Sequence, residues 1–260
     1  MSVRKCQLDL RTEGRGLPVY KRGRPPGRLA GRHDTMSAKH TAAFFRAEGV
    51  LVSNGVMHAA MFMAGQRAGM RERALRFGQA LASVPVFGLL GQNDRTMGNR
   101  VAHLCYRDMT EDRIVVLSEE YVEDVLSEKV LDSGVELMRK AKADGHRVVV
   151  LSEGIAEIME RMRERWRHVD ELVCNHLEYR DGKATGKLRE PILGGYEGGK
   201  WLRQYAAEHD IDLSRSFAYG AHGPDLLLLS AVGHPCAVNA DLTLRKAARE
   251  ADWPVMDYKA

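Results

Sequence analysis

The segment Thr41–Gly55, TAAFFRAEGVLVSNG, sets a charged pair at the end of an apolar run: Ala42 to Phe45 lead into Arg46-Ala47-Glu48-Gly49, and the chain turns apolar again at Val50. A short apolar run bounded by charge reads as a buried strand reaching a loop, and open α/β sheets place their chemistry at such strand ends. Arginine there can hold an anion through its fork of N–H donors. It cannot attack an electrophile, because it stays protonated and has no lone pair. Glu48, two residues on, could exchange a proton. Elsewhere the chemistry-bearing types are sparse. Met57, Met61 and Met63 fall in an Ala- and Gly-rich stretch and read as core gap-fillers rather than soft metal ligands. Cys6, Cys105, Cys174 and Cys236 are scattered, with no CxxC or ligand-like spacing. His222, in YGAHGPD, reads as a solvated loop histidine or, alternatively, a nucleophile, and His58 as incidental.

These residues must be positioned by the elements around them. Residues 57–90 have few β-branched side chains, which favours packed helices, and SEEYVEDVLSEKVL continues the pattern with Ser118 as a candidate cap. In SGVELMRKAKADGHRVVVLSEG, Val135, Met138 and Ala141 recur at helical spacing, Gly145 terminates, and Val148–Leu151 form a buried strand. Ile155 to Trp166 is a helix, acidic early and basic late, as the macrodipole favours. HLEYRDGKATGKL predicts a hairpin turning at Asp181-Gly182. Lys200 is expected to open a helix, followed by strand SFAYG, helix PDLLLLSAV, strand PCAVN and helix LTLRKAARE. Strand and helix alternate from Gly134 onward, the pattern of a parallel sheet with helices on both faces. The first strand stands about 90 residues before that run, so a helical insertion directly after it is implied. The expected divisions are a basic tail over 1–35, an α/β core over 41–52 and about 130–258, and a helical cap over about 53–129.

At 260 residues, with 44% hydrophobic and 28% charged side chains, the chain has the composition of a soluble globular protein. No apolar run approaches the roughly 18 residues that would span a membrane, and the N-terminus lacks a signal-peptide core. The unpatterned cysteines suit a reducing cytoplasm. Of the 39 basic and 35 acidic residues, nine and three lie in 1–35, so the remainder is nearly neutral. That tail is rich in Arg, Gly and Pro without periodicity and reads as disordered. Its Arg22-Gly23-Arg24-Pro25 resembles the core of an AT-hook, which lays arginines into the minor groove of A·T-rich DNA. The match is four residues long and single-copy, and a solvated tail, or a true start at Met36, accounts for it more simply than DNA binding does.

The stretches GHRVVVLSEG, EGGKWLRQYAAEHDIDLSRSFAYG and LLLLSAVGHPCAVNAD, together with the first strand and its helical insertion, resemble subfamily IB of the haloacid dehalogenase (HAD) superfamily, the phosphoserine-phosphatase-like hydrolases. The resemblance covers about Thr41 to Tyr258 and implies a Rossmann-like parallel sheet with a helical cap after strand one. It also implies a chemistry: a first Asp at the end of strand one attacks phosphorus, and a second protonates the leaving oxygen. A Ser or Thr and a Lys hold the phosphoryl group, and acids after the fourth strand help bind Mg²⁺. By that resemblance Ser152 takes the hydroxyl position, Lys200 the lysine position and Asp225 the later acid, a vestigial metal ligand. Arg46 stands at the nucleophile, Glu48 at the acid/base and Val50 at the usual Thr. Ala221 replaces an acid that would touch the metal.

Three units of negative charge are lost from one small site, and each unit is worth roughly 4 kcal/mol against another charge at contact distance in a medium of effective dielectric near 20. No bound metal cofactor is therefore expected, although active relatives use Mg²⁺. The sequence points to a phosphatase-like protein with a degenerate site, in which Arg46, Ser152 and Lys200 could converge on a small phosphorylated ligand. The alternatives are a remnant in which Arg46 pairs with Glu48 or Asp225, a hydrolase working by an altered mechanism, an interaction scaffold, and DNA binding through Arg22 and Arg24. Taken singly, Ser152 also reads as a helix N-cap, Lys200 as a surface lysine and Asp225 as a first-turn helix acid. The oligomeric state is not legible.

Overall fold

The computed structural model describes residues 40–66, 69–89, 95–194 and 196–258. The tail, with Arg22, Arg24 and Met36, lies outside them. Strand β1 (Ala42–Arg46) is fully buried and has the bounds its apolar run predicts. The chain then builds a helical insert: α1 (Val56–Gly65), α2 (Met70–Leu89), α3 (Thr96–Ala102), a 3₁₀ turn at His103–Tyr106 and α4 (Glu111–Tyr121), continued by π and 3₁₀ turns to Lys129. Thr110 caps α4 by accepting from the Arg113 N–H, while Ser118, the expected cap, is buried inside that helix.

The α/β half follows as α5 (Asp132–Ala143), β2 (Arg147–Ile155), α6 (Ala156–Trp166), β3 (Glu171–Asn175), β4 (Leu177–Arg180), β5 (Lys183–Leu188), α7 (Tyr196–Glu208), β6 (Phe217–Gly220), α8 (Leu226–Ser230), β7 (His234–Val238), α9 (Leu242–Glu250) and β8 (Val255–Met256). The hairpin β4–β5 turns at Asp181-Gly182, both at positive φ, as the Asp-Gly pair favours. It leaves the sheet half and pairs onto the insert, where Asp108 N–H donates to the Ala184 carbonyl and Ala184 N–H to that of Met109.

The main sheet runs β3-β2-β1-β6-β7-β8, and its paired strands are parallel. Successive residues of β1 feed opposite faces: Ala43 and Phe45 pack with Val148, Val150 and Met138, while Ala42 and Phe44 pack with Val149, Leu151 and Leu202. β1 lies between β2 and β6, with Arg46 level with Leu151 and Phe45 with Tyr219. The chain order reverses here, so the ends of β1, β2 and β6 bound the crevice where such sheets bind ligands. The Rossmann-like parallel sheet is therefore observed, with two strands, β3 and β8, that the sequence pattern did not single out.

Candidate functional site

Immediately after β1 the chain folds back on itself. The Ala47 carbonyl accepts the N–H groups of both Leu51 and Val52 at 2.9 Å, and Gly49 sits at φ +81°. A side chain at Gly49 would bring its Cβ within 2.4 Å of the Ala221 Cβ. A left-handed turn and a close approach to the end of β6 thus both require glycine. The loop presents Glu48 beside Arg46, and the methyl of Ala221 packs where the resemblance places an acid.

The guanidinium of Arg46 is buried among three carboxylates. Its Nη2 donates to Glu153 Oε1 at 2.8 Å and lies 3.6 Å from Glu48 Oε2. Its Nε is 2.9 Å from Asp225 Oδ1, in ionic contact though not hydrogen-bonded. Burial opposes the charge on Arg46, but Asp225, Glu153 and Glu48 together outweigh it and hold the guanidinium protonated. Burial pushes the Glu153 carboxyl up; Arg46 and Arg95 pull it back, and Glu48 and Asp225 raise it further.

The rest of the group is tied into the backbone. Glu48 Oε1 accepts from Ser152 Oγ at 2.5 Å and from the Glu153 N–H at 3.0 Å. Asp225 Oδ2 accepts from the N–H groups of Ala221 and His222 at 2.9 and 3.0 Å, closing the turn after β6. Asn99, from the helical insert, donates to Glu153 Oε2 at 3.3 Å.

Of the residues singled out in the sequence, Arg46, Glu48, Ser152, Ala221 and Asp225 do come together. The expected anion pocket does not form from them: Arg46 faces carboxylates, and the hydroxyl of Ser152, wholly buried, is given to Glu48. Nor is Ser152 a helix cap, since β2 runs through it and the N-cap position of α6 is Ile155. Lys200 is exposed in the second turn of α7, which begins at Tyr196 rather than at the lysine. His222 stands 3.6 Å from Asp241, and His58 is exposed on α1. Glu153, Asn99 and Arg95 escaped the sequence reading. Glu153 alone left a signal, a charge two residues after the apolar run Val148–Leu151 of β2; the asparagine and arginine sit in a stretch without pattern.

The donor set does not fit the Mg²⁺ that the family resemblance implies. A hard divalent ion needs carboxylate oxygens turned toward a common vacancy. Here those oxygens surround a fixed organic cation, and no other group of three His, Cys, Asp or Glu among the described residues is placed to hold a metal.

The family model of the haloacid dehalogenase-like hydrolases matches residues 44–230, from β1 through α8. The chain belongs to that family. Phosphoserine phosphatase SerB1 of Mycobacterium tuberculosis is 28% identical over 219 residues, which cover 84% of this chain and 71% of that protein. Among solved structures, a protein of unknown function from Bordetella pertussis Tohama I superposes with a TM-score of 0.72 at 22% identity, covering 85% of this chain and 99% of that one. A substrate-bound phosphoserine phosphatase superposes with a TM-score of 0.65 at 18% identity over 85% of this chain and 94% of that one. At these identities the structural likeness establishes the fold of this HAD protein and no more. No helix among its described residues is long and apolar enough to cross a membrane.

Proposed function

We propose that this HAD phosphatase-like chain is a pseudo-phosphatase, in which an internal guanidinium has taken the place of the metal and the phosphoryl group. The observation that carries this reading is the contact of Arg46 with Glu48, Glu153 and Asp225 at 2.8–3.6 Å. Hydrolysis through an aspartyl-phosphate needs a nucleophile with a free lone pair, and an arginine has none. Glu48, at the proton-donor position, accepts from Ser152 and the Glu153 backbone and has no phospho-enzyme beside it to serve. With three carboxylates against Arg46, and Arg95 4.0 Å from Glu153, the group carries a net negative charge that disfavours a phosphate dianion. The described cysteines, buried and unbridged, suit a reducing cytoplasm as its setting.

The test is a panel of phosphomonoesters, phosphoserine included, offered to the purified full chain with and without Mg²⁺. The expected result is no turnover above background in either condition. Turnover that is lost on chelation and also lost in Lys200→Ala would overturn the reading. Inorganic phosphate at millimolar concentration should leave the melting temperature unchanged.

A further inference from the structure

The helical insert and the sheet meet over the same buried group, and Glu153 uses its polar atoms in several directions at once. Oε1 accepts from Arg46 on β1, and Oε2 accepts from Asn99 on α3 at 3.3 Å. The Glu153 carbonyl accepts from Asn175 at the end of β3 at 2.8 Å. Asn99 forks its amide between Glu153 and the Leu193 carbonyl, the latter at 3.1 Å. Asn175 in turn brackets Leu193, accepting its N–H at 2.8 Å and donating to its carbonyl at 3.3 Å. The start of α3 is fixed to the same loop: Arg95 N–H donates to the Gly194 carbonyl at 3.0 Å, and a Cβ on Gly194 would meet the Thr96 nitrogen at 2.9 Å. Asn99, Glu153 and Asn175 are all at least 98% buried.

We infer that Glu153 and Asn99 form a latch that holds the helical insert down on the sheet, so that the chain's own side chains keep the crevice shut. A crevice closed by a ligand needs seam residues that can part, whereas here the sheet side of the seam is a carboxylate anchored by Arg46. The inference rests on the reading that Arg46 fills the centre. The latch explains why a polar asparagine lies fully buried in α3: its donor has two acceptors, one on each of two separate segments of the α/β half. Releasing it leaves Glu153 Oε2 with only the 4.0 Å contact to Arg95, and the Leu193 carbonyl with only the 3.3 Å bond from Asn175. Arg100, one residue further along α3, offers a contrast, since its ion pair to Glu190 at 2.5 Å is solvent-exposed.

Cys105, buried in the turn after α3, and Cys236, buried on β7, are built-in reporters of opening. In the full chain, the rate of thiol alkylation at each is read by mass spectrometry, alongside amide exchange. Asn99→Ala is expected to raise labelling of Cys105 at least tenfold relative to Cys236, with faster exchange over 96–106 and 189–194. Arg100→Ala should leave both rates unchanged. Should Asn99→Ala fail to fold, Arg95→Ala, which removes the weaker 4.0 Å contact to Glu153, is expected to raise Cys105 labelling about threefold. An unchanged Cys105 rate, an equal rise at both thiols, or the same effect from Arg100→Ala would each overturn the latch. Phosphatase turnover by the wild type would instead overturn the proposed function and leave the labelling result to judge the latch.

Discussion

The two ends of β1 and β2 carry comparable numbers of charges in opposite environments. At the C-terminal end Arg46, Glu48, Glu153 and Asp225 are at most 6% exposed. At the N-terminal end Arg147 pairs with Glu171 at 3.1 Å with both side chains 38% exposed, and Lys142 pairs with Asp170 at the rim of a cleft of about 480 Å³. The N-terminal pairs stand in water that would solvate either partner alone, so each contributes little. The C-terminal group has no such reserve, and removing one member leaves the others charged and dry. Sequence cannot tell these ends apart by residue type, since both are basic side chains and carboxylates in or next to strands. Burial is what separates a structural knot from a solvated rim.

The most damaging test of that contrast is a matched pair of truncations. Arg46→Ala is expected to destabilise the fold by about 3–5 kcal/mol, because it leaves three carboxylates uncompensated in the interior. Glu153→Ala is expected to cost about 3 kcal/mol, because it strands the buried donors of Arg46 and Asn99. Arg147→Ala should cost under about 1 kcal/mol from its ion pair, plus a small loss of packing against Tyr205, whose ring lies 5.8 Å from the guanidinium. Urea unfolding of the three variants measures both. Equal losses at the two ends would mean that burial does not control the cost.

Much of this arrangement was legible beforehand. β1 emerged with its true bounds because four apolar residues followed by an arginine leave one reading, and the Asp181-Gly182 turn was fixed by the φ it demands. β3 was missed because Glu171–Asn175 is only half apolar and partly exposed, and β8 because two residues carry no period. At the site, charge loss at Arg46 and Ala221 could be read directly, as could a pairing of Arg46 with Glu48 or Asp225. The direction of Ser152 could not be read, because a hydroxyl beside a strand serves a phosphate and a neighbouring carboxylate equally well. Glu153 and Asn99 meet across 54 residues of chain, and no local pattern encodes such a contact.

A second test sharpens the comparison from the insert side of the seam. His103, directly after α3, is buried with Nδ1 2.6 Å from the Asn99 carbonyl, and its ring stacks on Tyr106. Burial pulls its pKa from 6.5 down to about 4, with the Asn99 hydrogen bond opposing. The folded ring therefore stays neutral where the unfolded ring protonates. Stability should fall as pH drops below about 6.5, at ~1.4 kcal/mol per unit, and level off near pH 4 once the folded ring takes its proton. The total is about 3 kcal/mol. Unfolding free energies at pH 7 and pH 4.5, compared between wild type and His103→Asn, isolate this contribution. An identical pH dependence in the two would show that the ring titrates normally and that the seam is wetter than its burial implies.

The smallest expected effect lies between the two extremes of burial. Asp241 caps α9 by accepting the Leu244 N–H on Oδ1 at 2.8 Å, and Oδ2 accepts from the Gly223 N–H at 3.0 Å beside His222. Burial raises its pKa, but His222 and the two backbone N–H groups outweigh it and bring the carboxyl down to about 2. A depressed carboxyl stabilises the fold above its unfolded value of 3.8, and this contribution is lost as pH falls toward about 2. Because the side chain is 37% exposed, solvent screening should cut the effect to about 1 kcal/mol, well below that of the buried group and comparable to an ordinary helix cap. Asp241→Asn keeps an acceptor for the cap and removes the titration, so its stability should be flatter than wild type between pH 4 and 2. If Asp241→Asn instead costs as much as Glu153→Ala at neutral pH, the half-buried cap behaves as a buried charge. The gradient from rim to interior would then be a step at the first loss of full solvation.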